Sequence, residues 1–420
     1  MEIISIILTM IFMITLAWTI YHIPILISGI AKKKSYKESA SPSKENCKNF
    51  PKFSIIVPAK NEEPVIARCM ESILKQEYPK DKIEILVIEG GSEDNTRALC
   101  EEYSKRHPAT IKLLSQRTSN GKPSALNEAL KYATGEIVAI FDADNVLERD
   151  VLKKAAIDFQ DDSTVALQGR TSSINEDENY LTKIVAKEEK AWFGALIQGR
   201  HNLNLFVPLT GSCQFVRRKT LLKHEGWRED SLAEDIDLAL KLAEEDHKIQ
   251  YDNDVRSWQE TPSSLKSLVT QRTRWYMGYM ENLIHYGRLL KKPSLRLIDG
   301  EMTLLGPCVM VLCGMSYLIW FLKLLLSAQD VYIGFVTYGL SVVMTALTLF
   351  SIGAALLFMD KPFKIKKLLW IPFIYFYWAV ETFIAVWAFI QTILPRKKKW
   401  RKTEKNGTVT NHSVIQGYKA

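Results

Sequence analysis

The residues of this 420-residue chain that could do chemistry begin at Asp142-Ala143-Asp144, which closes the apolar run Ile137-Val138-Ala139-Ile140-Phe141. Such a run reads as a central parallel strand covered on both faces, and the ligands of such sheets gather at the carboxyl ends of the strands. Alternation along an extended chain would point both carboxylates the same way. Two hard oxygen donors, completed by diphosphate oxygens, suit Mg2+ or Mn2+. Asp-x-Asp recurs at Asp235-Ile236-Asp237 and Asp252-Asn253-Asp254, so spacing alone does not single out the first. Its place directly after a buried strand does.

The elements that would position this pair form a series. A strand over Phe53–Val57 runs into Pro58-Ala59-Lys60-Asn61-Glu62-Glu63, and Val65–Gln76 has the apolar spacing of a helix. A second strand, Ile83–Ile88, leads through Glu89-Gly90-Gly91-Ser92-Glu93-Asp94-Asn95-Thr96 to a helix ending near Lys105. A third, Ile111–Leu114, precedes Asn120-Gly121-Lys122-Pro123-Ser124-Ala125-Leu126-Asn127, where a glycine turn presents a lysine ahead of another helix. Repeated strand–loop–helix units imply a mainly parallel, doubly wound α/β sheet with right-handed crossovers. Neither G-x-G-x-x-G nor G-x-x-x-x-G-K-S/T occurs, so the dinucleotide and P-loop folds find no support.

Hydrophobic residues make up 47% of the chain, and they are concentrated. Ile3–Ile30, Met302–Leu322 and Val331–Met359 carry no charged side chain, and Leu368–Leu394 carries only Glu381. Each exceeds the roughly 20 residues that cross a bilayer. The first is too long for the h-region of a signal peptide and reads as a retained anchor. Lys32, Lys33, Lys34 and Lys37 follow it, which places the bulk of the chain in the cytoplasm. The net charge of +8 is then largely juxtamembrane lysine, suited to anionic lipid, with no nucleic-acid-binding signature beside it. The six cysteines are scattered, without zinc-type spacing, and read as reduced. One span before the domain and three after it would leave Arg396–Lys402, six basic residues of seven, on the outer side against the positive-inside rule. A cytoplasmic tail is the expectation, with Leu368–Leu394 not fully crossing or the tail an exception to the rule. Glu381, in mid-membrane, is a functional candidate facing a polar path or partner.

Pro58-Ala59-Lys60-Asn61-Glu62, Gly91-Ser92-Glu93-Asp94-Asn95-Thr96, Gly121-Lys122-Pro123-Ser124-Ala125-Leu126-Asn127 and Asp142-Ala143-Asp144 resemble, in order and spacing, the GT-A domain of family 2 glycosyltransferases. Thr210-Gly211-Ser212, Ala233-Glu234-Asp235 and Gln271-Arg272-Thr273-Arg274-Trp275 resemble the acceptor, base and Q-x-x-R-W motifs of the membrane-bound processive members, among them cellulose, chitin, hyaluronan and poly-N-acetylglucosamine synthases. The resemblance covers Phe53–Trp275. It departs at two places: Glu89-Gly90 stands where the family has Asp-Asp, and Ala233 replaces the commoner Thr or Ser. Trp400-Arg401-Lys402-Thr403 resembles a cytoplasmic segment that follows the last helix in relatives.

The resemblance implies an anchor over 1–30, a linker over 31–51, a GT-A domain over 52–260, interfacial helices over 261–300, about three membrane helices over 301–394 and a basic tail over 395–420. It implies an inverting, metal-dependent transferase at the cell membrane. Such an enzyme moves a sugar from a nucleotide diphosphate sugar, UDP-linked, to a growing β-linked polysaccharide on the cytoplasmic side. Asp144 and Asp142 would hold the cation; Glu89, Lys122 and Asp142 the nucleotide sugar; Gly211, Ser212, Glu234, Gln271, Arg274 and Trp275 the acceptor side, with Trp275 under the acceptor sugar and Arg274 near the diphosphate. Asp235 would be the general base, and a helix N-terminus at Ala233-Glu234-Asp235 would hold it ionised. Each role has a plainer structural counterpart: a solvated lysine after a turn for Lys122, a helix-starting acid for Glu89 and Asp235, and headgroup anchoring for Arg274 and Trp275. Two other functions remain open on the sequence. One is single-sugar transfer to a membrane lipid, with the same catalytic residues, and the other is a nucleotide-binding transporter or receptor without turnover.

Overall fold

A computed structural model describes residues 2–31, 50–116, 121–287, 294–326, 343, 353, 370–394 and 402–416. Strands β1 (Phe53–Ala59), β2 (Ile83–Glu89), β3 (Ile111–Ser115), β4 (Ile137–Ile140), β5 (Val146–Leu147), β6 (Ala166–Ser173), β7 (Gln214–Arg217) and β8 (Ile249–Gln259) form one mixed sheet in the order β3-β2-β1-β4-β7-β6-β8-β5. β3, β2, β1 and β4 are parallel; β7 runs antiparallel to β4 and β6.

The continuous apolar strands are explained by cover on both faces. Alternate residues go to opposite sides: Ile56, Leu86, Ile88, Val138 and Ile140 pack with Leu126, Phe206 and Leu240 on one face. Ile55, Val57, Ile85, Val87 and Ala139 pack with Met70 and Phe215 on the other. The helices that supply this cover include α2 (Ile66–Leu74), α3 (Thr96–Arg106), α4 (Lys122–Leu130) and α5 (Val151–Asp158). Ala59 pairs with Glu89 and Ile56 with Ile140, so the loops that follow β1, β2 and β4 open at one sheet edge.

The strand leading to the Asp pair is shorter than its apolar run. β4 stops at Ile140, and Asp142–Asn145 form a turn closed by the Asn145 amide donating to the Asp142 carbonyl at 3.0 Å. Buried Asn145 pins that turn to β8 by accepting from Ser257 Oγ at 2.6 Å. A turn, not strand alternation, therefore aims the two carboxylates, and they take different partners.

Three described helices are long and apolar enough to cross a membrane, with candidate spans at Ile6–Ile30, Leu295–Ile319 and Pro372–Ile393. They belong to α1 (Glu2–Ile30), α11 (Leu295–Leu326) and α12 (Ile371–Ile393), when α6 (Tyr180–Ala191), α7 (Gln198–Asn202), α8 (Arg218–Lys223), α9 (Glu234–Glu244) and α10 (Leu265–Tyr286) are counted in chain order. A π-helical turn over Trp192–Ile197 joins α6 to α7. α1 seats its C-terminal end against these last two elements, where a Cβ on Gly29 would lie 2.0 Å from the Ala195 carbonyl oxygen and one on Gly199 1.9 Å from that of Ile25. Beside this contact the buried Arg200 Nε lies 3.2 Å from Asp299 Oδ2, and the Tyr21 hydroxyl donates to Asp299 Oδ1 at 2.5 Å. The helix of the first described span is thus tied to the sheet domain by close backbone packing, and that of the second by a buried ion pair.

The expected span Val331–Met359 lies outside the described residues apart from Val343 and Gly353, as does most of the linker 31–51. The tail is described from Lys402, whose Nζ lies 3.0 Å from Glu62 Oε1 in the loop after β1. The described part of the tail therefore packs against the domain at the loop after β1.

Candidate active site

Lys122 opens α4 behind Gly121, whose φ of 91° lets the turn deliver the side chain back over the sheet edge. Its ammonium donates to Asp142 Oδ1 at 2.5 Å and to the Gly211 carbonyl at 2.8 Å, and lies 3.9 Å from Glu234 Oε1. Burial disfavours its charge, but Asp142 and then Glu234 outweigh this and hold its pKa above the ordinary lysine value. It is therefore not the solvated lysine of the plainer reading.

The Gly211-Ser212 loop lies between these groups. Gly211 has φ of 77°, and a Cβ there would sit 3.0 Å from Asp235 Oδ2 and 3.3 Å from Lys122 Nζ. Only glycine both reaches this conformation without strain and lets the backbone come so near two charged groups. Ser212 Oγ accepts from the Asp142 amide at 3.1 Å. Behind the loop the fully buried Gln168 of β6 donates to the Ser212 carbonyl at 3.0 Å and accepts from the Thr210 amide at 2.9 Å. A glutamine inside a strand carries no signal of this clamp, and sequence reasoning missed it.

Asp235 stands in the first turn of α9, as expected, with Oδ1 accepting from the Ile236 amide at 2.8 Å. The expected ionised carboxylate is corrected, however. Burial, then the neighbouring Glu234, push its pKa up to about 7, beyond what Lys122, the Ile236 amide and Arg274 pull back. Helix-terminal stabilisation of ~0.3 to 1 kcal/mol is too small to win against burial beside a second carboxylate. A pKa near the working pH is what a general base needs.

α10 brings the remaining motif. Arg274 is close enough for its guanidinium to feel Glu234, Asp235 and Asp142, though burial lowers its pKa. Gln271 is buried on the same helix. Trp275 is partly exposed, with the Arg272 guanidinium 4.5 Å from its ring centroid. Glu89, by contrast, turns into its own loop: 1% exposed, it accepts from the Ser92 amide at 2.5 Å and lies 3.8 Å from Arg97.

Asp144 is held apart from Asp142. Its Oδ2 accepts from the Glu260 amide at 3.0 Å and lies 2.6 Å from Lys405 Nζ. Burial alone would raise its pKa, yet Lys405, Arg68 and the Glu260 amide hold it below the usual carboxylate range. The lysine belongs to the tail, which also places Lys402 on Glu62, the Asn406 amide on Glu260 Oε2 at 2.9 Å, and the Gly407 carbonyl on Arg68 Nη1 at 3.1 Å. Arg68 in turn pairs with Glu260. Sequence reading placed Lys402 in a basic tail segment and did not single out Lys405; only the fold shows them at the sheet edge.

The donor set fits a divalent cation. Asp144 is held ionised with the Lys405 ammonium 2.6 Å from it, which shows that a positive charge is favoured there, while Asp142 pairs with Lys122. No cluster of three or more His, Cys, Asp or Glu side chains occurs among the described residues, so most ligands would be phosphate and water oxygens, as hard cations accept.

Residues 51–278 match the family model described as "Glycosyltransferase like family 2". Over 377 residues the chain is 29% identical to a beta-monoglucosyldiacylglycerol synthase of Nostoc sp., covering 86% of this chain and 78% of that one. Over 356 residues it is 26% identical to a poly-beta-1,6-N-acetyl-D-glucosamine synthase of Staphylococcus epidermidis, covering 82% and 84%. A probable glycosyltransferase, YdaM, of Bacillus subtilis is 28% identical over 271 residues, covering 63% of this chain and 64% of that one, so the match spans slightly less than two thirds of that relative. Among solved structures, a mannosyltransferase from Pyrobaculum calidifontis in complex with GDP-Man and Mn2+ has a TM-score of 0.62 at 22% identity, over 92% of this chain and 99% of that one. That likeness is one of fold.

Proposed function

Because this chain belongs to glycosyltransferase family 2, we propose that it transfers a sugar from a nucleotide diphosphate sugar, UDP-linked, to a growing β-linked polysaccharide at the cytoplasmic face of the cell membrane. The observation that carries the reading is the convergence of Lys122, Asp142, Gly211, Glu234, Asp235 and Arg274 at one sheet edge, with Asp235 titrating near pH 7 among them.

In the reaction the acceptor hydroxyl gives its proton to Asp235 as its oxygen attacks the anomeric carbon. The bond to the diphosphate oxygen breaks and the diphosphate leaves with the electron pair. The displacement is direct, with inversion, α donor to β product, as the family resemblance implies. Arg274 and Lys122 face the charge that develops on the leaving group, and Gly211 lets the acceptor approach without a side chain in the way. Asp144, with Asp142, would hold the divalent cation, which when bound supplies positive charge to the leaving diphosphate. The Lys405 ammonium contests the same carboxylate.

The Nostoc relative supports a second reading, transfer of one sugar to a membrane lipid. Incubating the purified protein in lipid with labelled UDP-sugar and Mn2+, then separating products by size and by extraction into organic solvent, decides between them. The polysaccharide reading expects label in large, solvent-insoluble material; label confined to one lipid-sized species would replace it with the glycolipid reading. Release of the nucleotide without any labelled product would count against both.

The acceptor side makes its own prediction. If Trp275 stacks under the acceptor sugar, Trp275→Ala lowers transfer about tenfold or more, the effect of losing ~1.5 kcal/mol of aromatic contact. Slow hydrolysis of the donor continues, since water needs no platform. Assays of transfer and hydrolysis on the same preparation read this directly. A wild-type ratio of the two would make Trp275 a headgroup anchor only.

A further inference from the structure

Glu381 is a carboxylate inside an apolar candidate span, 1% exposed, in a setting where an ionisable side chain is costly without a partner. Its partners are on α10. The Tyr276 hydroxyl donates to Glu381 Oε2, and Arg272 Nε lies 3.3 Å from Glu381 Oε1. The same guanidinium donates to Glu188 of α6 and to the Tyr377 hydroxyl at 3.3 Å, while Tyr377 donates to Glu188 Oε2 at 2.7 Å. One buried arginine is therefore gripped from the catalytic domain by Glu188 and from the membrane helix by Glu381. Its guanidinium carbon lies over the Trp275 ring, 4.5 Å from the centroid.

We propose that Arg272 is a positioning residue for the acceptor subsite. Clamped between Glu188 and Glu381, it fixes the orientation of the Trp275 ring, so that the platform is built jointly by the catalytic domain and the last described membrane helix. This rests on the reading of Trp275 given above. The clamp accounts for the mid-span carboxylate and for the choice of arginine, whose planar fork can meet two carboxylates while it stays over a ring; lysine, a point charge, cannot do both.

The test measures transfer, donor hydrolysis and donor KM in wild type, Arg272→Lys, Glu381→Gln and Trp275→Ala, reconstituted in lipid. Arg272→Lys should lower the ratio of transfer to hydrolysis about tenfold, the scale of a desolvated cation–π contact, with donor KM unchanged. Glu381→Gln should move the ratio the same way by less, and it carries the test if Arg272→Lys does not fold. A merely structural role would lower transfer and hydrolysis together through the amount of folded enzyme, leaving the ratio unmoved. A wild-type ratio in both clamp variants beside a low ratio in Trp275→Ala overturns the positioning role and leaves the platform standing. A wild-type ratio in Trp275→Ala overturns the platform, and the positioning role with it.

Discussion

Asp144→Ala should reduce turnover by about 10²- to 10³-fold or more, the scale of removing a charged group from a preorganised site, and should make donor binding indifferent to Mn2+. The carboxylate is held ionised by Lys405, Arg68 and the Glu260 amide, so at neutral pH it presents a full negative charge to a cation. Calorimetric donor binding with Mn2+ and with chelator, on wild type and variant, separates the roles. The wild type should lose affinity on chelation and the variant should bind equally in both. Equal cation dependence in the two proteins would remove Asp144 from the metal site and leave it as the anchor of the tail.

Asp235→Asn should keep donor and cation binding while kcat falls 10²- to 10⁴-fold, the range for losing general-base catalysis. Folding should not suffer. The folded carboxyl titrates near 7 against 3.8 in an ordinary aspartate, so between these values the unfolded chain holds fewer protons, and the stability Asp235 contributes declines as pH rises through that window. Asparagine carries no such cost. Thermal melts at pH 8 should show the variant at least as stable as wild type, which ties its lost activity to chemistry. A variant that melts well below wild type, or binds donor weakly, would make Asp235 a structural residue.

Much of the sheet that carries the candidate site was legible because short, mainly apolar segments, each ended by a polar or glycine-rich loop, dictate parallel strands whose loops gather at one edge. The turn at Asp142–Asn145 was not, since Phe141 continues the apolar pattern and only the Asn145–Ser257 contact shows that the strand has stopped. Asp235 was correctly placed at a helix start, yet its protonation was misjudged because burial and the Glu234 charge depend on what packs above the helix. Gln168, Lys405 and Glu188 reach the site or its supports from residues distant in the chain, with no motif around them. Glu381 was conspicuous in the sequence because a charge in an apolar span stands out, but its partner Arg272 lies 109 positions away (381 minus 272) on another helix.

The central claim, that Asp235 takes the acceptor proton in a family 2 transfer, is tested most directly by the pH dependence of kcat/KM for the acceptor at saturating donor and Mn2+. The base acts only when ionised, so activity should climb tenfold per pH unit on the acid side and level off above a midpoint near 7, and Asp235→Asn should lose that limb. A wild-type profile flat from pH 5 to 8, or one unchanged in the variant, would contradict it.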